Sequence, residues 1–501
     1  MIGSLRNKFE HFKVSEKGGQ NLSTTLPKLP PAKDLDRSTI YKYRYNYGVN
    51  LGALFVLEPW IFSKETICTI DGKEYDSEFD AISQQLKKHS SEDVAKMLSD
   101  HYKKYIDRID WEWLSKDAHI TALRIPIGYW HVEDGKHLDS LPFAPLRKVY
   151  ELAKPWEKLG ELINNAKKMS IGVLIDLHGL PEGANCDSHS GSKSGEAAFF
   201  HKEKYMTKVY KDILPAIINT MTLGNENIIG IQVVNEACFD NNPKGQKFYY
   251  SEAINTVEKL QPGLPVIISD GWWPQQWADW VKEKHFSEIV VIDSHVYRCF
   301  SDSDKSKDAN SIIKDLPNTV NFPHEDADYT VGEFSGVLDG QTWNKTSGDR
   351  DAIVQKYVQT QADVFSHVAS WGWFFWTLQF EYGDGGEWGL APMMQKGNLP
   401  KRPHGDDLQV DKKKIDSIIH EHEAYWNGKG KNFEHWRFED GIKTAVDDII
   451  AFRKFDNSLI GRWHSWKSQR RAEYVSAKKD SEFMWEWDQG YQRGLDEFNK
   501  Y

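Results

Sequence analysis

Residues Ile228–Phe239 read IIGIQVVNEACF. A largely apolar, β-rich run passes straight into Asn235-Glu236. Such a run, without polar interruption, predicts a strand covered on both faces. A carboxylate at the exit of a buried strand loses solvation, and burial raises its affinity for a proton. Glu236 is therefore expected as a proton donor. The pattern returns in Tyr329–Ser335, YTVGEFS, where Glu333 closes a second apolar run.

Outward from this stretch, eight apolar segments alternate with helical periodicity. The strand candidates are Tyr47–Trp60, His119–Tyr129, Ile171–His178, Ile228–Asn235, Leu264–Asp270, Ile289–His295, Tyr329–Phe334 and Trp371–Thr377. Helices are predicted between them, at Pro155–Met169, Glu203–Met221, Gln246–Leu260, Gln276–Glu283 and Asp351–His367. That alternation predicts an α/β chain folded as a (β/α)8 TIM barrel, with parallel strands joined by right-handed crossovers. The polar residues singled out fall at C-terminal strand ends, where such barrels carry their chemistry. Arg124 lies inside the second strand. A charge there needs a buried partner, and Glu333 is the expected one.

Three regions follow. Residues 1–40 are polar with Pro27, Pro30 and Pro31, and read as a loosely ordered lead-in on the surface. Residues 41–425 hold the barrel. Residues 426–501 read as a Trp-rich helical extension, with helices over Asp440–Phe452 and from Ser468 onward, packed on the barrel wall. Its basic cluster Lys467, Arg470, Arg471, Lys478 and Lys479 reads as a solvated face, with peripheral lipid or membrane contact as the alternative.

The formal net charge of −11 over 501 residues argues against nucleic acid as a partner. No apolar run is long enough for a transmembrane helix. Cys68, Cys186, Cys238 and Cys299 form no CxxC, and no metal-like Cys/His spacing appears. The N-terminus shows no secretory pattern. The expectation is an intracellular, cytoplasmic protein, not a secreted one. Leu5, Phe9 and Phe12 among basic residues leave mitochondrial association open, although Glu10 and Glu16 weaken a presequence. The 20 Trp and 21 Tyr suit stacking on sugar faces and suit cores equally well.

Two glutamates at strand ends suit acid and nucleophile work on a glycosidic bond. Taken in order, the motifs are VLEPW around Glu58, RIPIGYW from Arg124, DLHG from Asp176, VNEA from Val234, DSHVY from Asp293, VGEF from Val331 and FFWT ending at Thr377. Over residues 45 to 395 this series resembles glycoside hydrolase family 5, in particular its fungal exo-1,3-β-glucanase branch.

The resemblance implies that Glu236 is the acid/base and Glu333 the nucleophile. It implies that Asn235 bonds the sugar 2-hydroxyl and that Arg124 places Glu333. His178, His295 and Tyr297 would orient the glutamates and the sugar. Trp376 would floor the first subsite, and Glu58 would hold the outer hydroxyls of an exo-type pocket. Asn185 and Asp187 match a family loop loosely. Ala237 stands where the family has Pro, and Phe334 where it has Trp.

No metal or organic cofactor is expected. The implied activity is retaining cleavage of β-glucosidic bonds, on a β-glucan or on a β-glucoside such as a glucosylated lipid. A transglycosylase on β-glucans and a non-catalytic glycan-binding protein on the same scaffold remain as rivals.

Overall fold

Every residue of Ala122–Gly128, Gly172–Gly179 and Asp328–Phe334 is buried, because these strands are covered on both faces. They belong to a closed parallel barrel in the computed structural model, which describes residues 27–192, 195, 197–323, 327–400, 402, 410–430 and 432–500. The strands are β1 (Asn46–Asn50), β2 (Ala122–Gly128), β3 (Gly172–Gly179) and β4 (Ile228–Gln232). They continue as β5 (Val266–Ser269), β6 (Val290–Val296), β7 (Asp328–Phe334) and β8 (Gly372–Phe375). Each pairs with its successor, and β8 closes on β1. The register sets Asn50 beside Arg124, and His295 beside Glu333.

All eight predicted strands are present, with two corrections of extent. The first ends at Asn50, not Trp60. The buried apolar run Leu51–Leu57 that follows is loop, so burial alone did not mark strand there. The fourth ends at Gln232, although Val233 still donates its backbone N–H to Ile267 at 3.0 Å.

The foot of the barrel is filled by Ala122, Leu174, Ile229, Ile267, Val291 and Phe374, capped by Tyr41 and Trp371. Above them, the interior turns polar.

The C-terminal helices Lys412–Trp426, His435–Lys454, Trp463–Lys478 and Met484–Phe498 enclose a second core. Phe438, Ile442, Ile449, Trp466, Trp487 and Tyr491 fill it. Each buried aliphatic or Phe side chain here contributes roughly 1.5–3 kcal/mol. A Cβ at Gly490 would come within 2.1 Å of the Phe438 carbonyl, so this helix crossing requires glycine. The boundary expected after Tyr425 cuts the first of these helices one residue before its end. Ile418 of that helix packs in the second core, with the helices that follow it. The run KKKIDSIIHEHE shows no change of composition that would have marked this.

Residues 27–40 are no loose lead-in. Leu29 and Ile40 are buried in the second core, and Arg470 donates to the Pro30 carbonyl at 2.8 Å. Residues 1–26 lie outside the described residues.

The basic cluster of the extension is divided: Lys478 and Lys479 are exposed, as a solvated face requires, whereas the other three have partners or burial. Arg470 is buried and grips Asp448, whose carboxylate also accepts from Trp466 and Tyr491. Arg471 pairs with Asp488, and burial lowers the pKa of Lys467. The solvated-face reading therefore fails for Arg470 and Lys467.

The extension seats on the foot of the barrel. Phe455 packs edge-on to Tyr41 at 5.0 Å. The Arg462 N–H donates to Ser370, and its guanidinium donates to the Glu288 carbonyl. Among the described residues, no helix is long and apolar enough to cross a membrane.

Candidate active site

Arg124 is fully buried at the centre of the barrel. Its Nε donates to Gln232 at 2.9 Å, and its Nη1 donates to Asn50 at 2.8 Å and to Glu333 Oε1 at 2.9 Å. Its Nη2 donates to Asn235 Oδ1 at 2.6 Å and lies 3.1 Å from Asp176. Asp176, Glu333 and Asp293 compensate the cost of burying this charge. The fork ties residues from five strands or their exits into one rigid layer.

That layer orients everything above it. Asp293 accepts from Gln232 at 2.7 Å and from the Gly332 N–H at 2.7 Å, and contacts His295 Nε2 at 3.1 Å. Gly332 allows this approach, since a Cβ there would lie 2.2 Å from Asp293 Oδ1. Asp176 fixes His178 through Nδ1 at 2.7 Å, which leaves Nε2 to accept from the Asn235 amide at 3.3 Å.

Glu333 leaves β7 with one oxygen on Arg124 and the other accepting from the Tyr297 hydroxyl at 2.9 Å. Glu236 stands opposite, with a left-handed backbone at φ 43°. Such a conformation is costly without glycine. It is held by the Asn185 amide, which donates to the Glu236 carbonyl at 3.1 Å, and by Ser269, which accepts from the Ala237 N–H at 3.1 Å. A carboxylate oxygen of Glu236 and one of Glu333 lie within 4.8 Å of each other, with the His295 ring beside both.

The electrostatics correct one expectation. Burial acts to raise the affinity of Glu236 for a proton, as its sequence position suggested. Contacts with two imidazoles outweigh it and hold the carboxyl well below the usual range. His295 Nδ1 lies 2.7 Å from Oε1, and His189 Nε2 lies 2.9 Å from Oε2. Burial opposes a charge on His189, yet the Glu236 carboxylate carries its pKa to about 9. The same opposition resolves at His295, where Glu333 and Asp293 hold the ring's pKa well above the usual value. Burial pushes Glu58 up to about 7, against the pull of His189 and of the Trp60 Nε1–H bond at 3.1 Å.

These groups open onto a cavity of about 610 Å³. Glu58, His178, Glu236, Tyr297, Glu333 and Trp376 all face it, and Asp187 lies at its edge. Trp376 is buried and lies nearly parallel to the His178 ring, with centroids 6.3 Å apart. The Trp376–Thr377 peptide is cis. The structure thus gathers Glu236, Glu333, Arg124, His178, Asn235, His295, Tyr297, Trp376 and Glu58 around one cavity and the layer beneath it. Sequence reasoning missed His189, Trp60, Trp272, Phe300 and Trp388, which complete the lining. His189 sits in a polar loop without periodicity, so no pattern marked it. Trp272 and Phe300, 54% and 62% exposed, form an apolar rim.

Residues 76–381 match the family model described as Cellulase (glycosyl hydrolase family 5). Residues 409–501 match that of the Glucan 1,3-beta-glucosidase 3 C-terminal domain. Glucan 1,3-beta-glucosidase 3 of Schizosaccharomyces pombe is 30% identical over 91% of this chain and 95% of its own length. Probable glucan 1,3-beta-glucosidase A of Aspergillus fumigatus is 26% identical over 78% and 96%. Among solved structures, a rutinosidase from Aspergillus niger superposes with a TM-score of 0.53 at 20% identity, over 72% of this chain and 98% of its own. That last likeness speaks to the fold alone. The family match along the barrel and the length of the fission-yeast alignment make this chain a member of glycosyl hydrolase family 5.

Proposed function

We propose that the chain hydrolyses terminal β-glucosidic bonds with retention of configuration, as an exo-acting glucan 1,3-β-glucosidase. The observation that carries this is the clamped pair. Glu333 is fixed through both oxygens by Arg124 and Tyr297, within 4.8 Å of a Glu236 oxygen. Retaining catalysis uses carboxyls roughly 5–5.5 Å apart, whereas inversion needs space for a water between them.

Glu333, held by the Arg124 guanidinium, attacks the anomeric carbon. The bond to the leaving oxygen breaks as that oxygen takes a proton from the Glu236 site. With Glu236 an anion in the resting cavity, the proton is held by the His189–Glu236 pair, which titrates as a unit. Bound sugar displaces His189 from Oε2, and the proton passes to the carboxyl. In the second half Glu236 takes a proton from water, whose oxygen replaces Glu333 at the anomeric carbon. Asn235 meets the sugar 2-hydroxyl, Trp376 lies under the ring, and Glu58 holds outer hydroxyls. His178 and His295 keep Asn235 and Glu236 in place.

The names of the fungal relatives support a 1,3-linked glucan as substrate. A second reading, a β-glucosidase acting on glucosylated lipids, is favoured by the apolar rim of Trp272, Phe300 and Trp60. A boundary near residue 410 divides a catalytic barrel from a structural extension, and the extension's place at the foot of the barrel keeps it away from this rim.

A mechanism-based 2-fluoro-glucoside is expected to label Glu333, found by peptide mass. Labelling elsewhere, or none in an enzyme that turns over, overturns the assignment. A panel of laminari-oligosaccharides, aryl glucosides, steryl glucosides and glucosylceramide separates the two substrate readings. Analysis with added oligosaccharide acceptor shows whether water or sugar resolves the intermediate.

A further inference from the structure

Two of the four cysteines lie together beside the cavity. Cys186 is exposed, on the loop after β3, between Asn185 and Asp187. Cys238 is half-buried, two residues beyond Glu236. The two segments run side by side. The Cys238 N–H donates to the Ala184 carbonyl at 3.1 Å, and the Asn185 amide donates to the Glu236 carbonyl at 3.1 Å. The Cys186 and Cys238 side chains are within hydrogen-bonding reach of each other. Gln246 holds the far side, donating to the Cys238 carbonyl at 2.7 Å.

We infer that Cys186 and Cys238 form a reversible disulfide that locks the Asn185–His189 loop to the Glu236 segment and reduces turnover. The effect on turnover rests on the assignment of Glu236 above, whereas formation of the bond does not.

The chemistry needs a disulfide oxidant, and glutathione disulfide supplies it. The exposed Cys186 thiolate attacks one sulfur of the oxidant, forming a mixed disulfide and releasing one glutathione thiolate. The Cys238 thiolate then attacks the Cys186 sulfur and expels the second. Two protein thiols are oxidised, one disulfide molecule is reduced, and the protons lost by the cysteines end on two glutathione thiols. Cys238 is the poorer first nucleophile, because burial and the neighbouring thiol keep it protonated. Cys68 and Cys299 are buried, with their thiols pushed up by burial, and compete poorly.

The bond would act on the site directly. Both segments carry a member of the His189–Glu236 contact. A covalent sulfur–sulfur link of roughly 2.05 Å would tie the Glu236 segment to the loop that carries His189, and restrict how the two can adjust around a bound sugar. A displacement of about 1 Å at a catalytic group costs up to roughly a hundredfold in rate.

The test incubates the full chain in glutathione buffers from reducing to oxidising, quenches with N-ethylmaleimide and maps peptides without reduction. The expected result is a 186–238 cross-link, a parallel tenfold or greater loss of aryl β-glucoside hydrolysis, and recovery of both with dithiothreitol. Cys186→Ser and Cys238→Ser are each expected to keep full activity in oxidising buffer. Absence of the cross-link overturns the inference. So does a cross-link with unchanged turnover, or a loss that persists in either serine variant. A reduced enzyme with no hydrolysis at all would count against the assigned function, while the peptide map would still decide whether the bond forms.

Discussion

His189 and His295 contact opposite oxygens of Glu236, at 2.9 and 2.7 Å. Each oxygen of the carboxylate faces an imidazole before any sugar arrives. A proton donor built in this way differs from one kept neutral by apolar burial. On the mechanism proposed above, its proton is stored on the neighbour, and substrate breaks the contact to mobilise it.

The first prediction concerns pH. The pKa of His189 is raised to about 9, so its ion pair is intact below the ordinary histidine value and is lost as pH rises through about 9. The basic limb of kcat/KM is expected near that pH. His189→Asn should move this limb down by a unit or more and lower kcat roughly ten- to hundredfold. An unmoved limb in the variant would assign the proton to another group.

Glu333→Gln removes the attacking oxygen while leaving an acceptor for Arg124. Turnover should fall by roughly 10³-fold or more. The circular-dichroism spectrum should match that of the wild type. Undiminished hydrolysis of an aryl β-glucoside by this variant would refute the nucleophile.

Arg124→Met tests the polar layer. It leaves Asp176, Glu333 and Asp293 without their shared cation. Stripping one partner from a buried pair costs about 3–5 kcal/mol. The denaturant midpoint should fall accordingly, together with activity. Arg124→Lys keeps the charge but cannot reach Gln232, Asn50, Glu333 and Asn235 at once, so it should recover stability better than rate.

Glu58 carries an opposite sign. Burial raises its folded pKa to about 7, so ionising it works against folding as pH rises from the unfolded value of roughly 4.3 to about 7. Glu58→Gln should be the more stable protein at pH 8, by roughly 3–4 kcal/mol at about 1.36 kcal/mol per pKa unit. Its KM for a β-glucoside should nevertheless rise severalfold. Equal stability at pH 8, measured by urea denaturation, would contradict this account.

The barrel was legible because its strands are covered on both faces. That produces uninterrupted apolar runs, and each run ends where the polar chemistry starts. The same signal overreached at Leu51–Leu57, since a buried loop reads like a buried strand. Arg124 announced its need for a carboxylate, but nothing local showed that Gln232, Asn50 and Asn235 would share it. His189 and the rim aromatics come from loops, whose positions are set by contacts distant in sequence. The ionisation of Glu236 was misread for the same reason. Burial can be inferred from a strand, whereas the two imidazoles that overrule it arrive from other segments.

The seat of the C-terminal helices has a consequence for how this enzyme can be trimmed or fused. Phe455, Arg462 and their neighbours act as a stopper beneath the strands, far from where sugar enters. A chain cut back to the barrel would leave Tyr41 and Trp371 facing water from below, and would be expected to aggregate rather than survive as a smaller catalyst. Added sequence after the last helix, by contrast, would project from the underside and leave the mouth free.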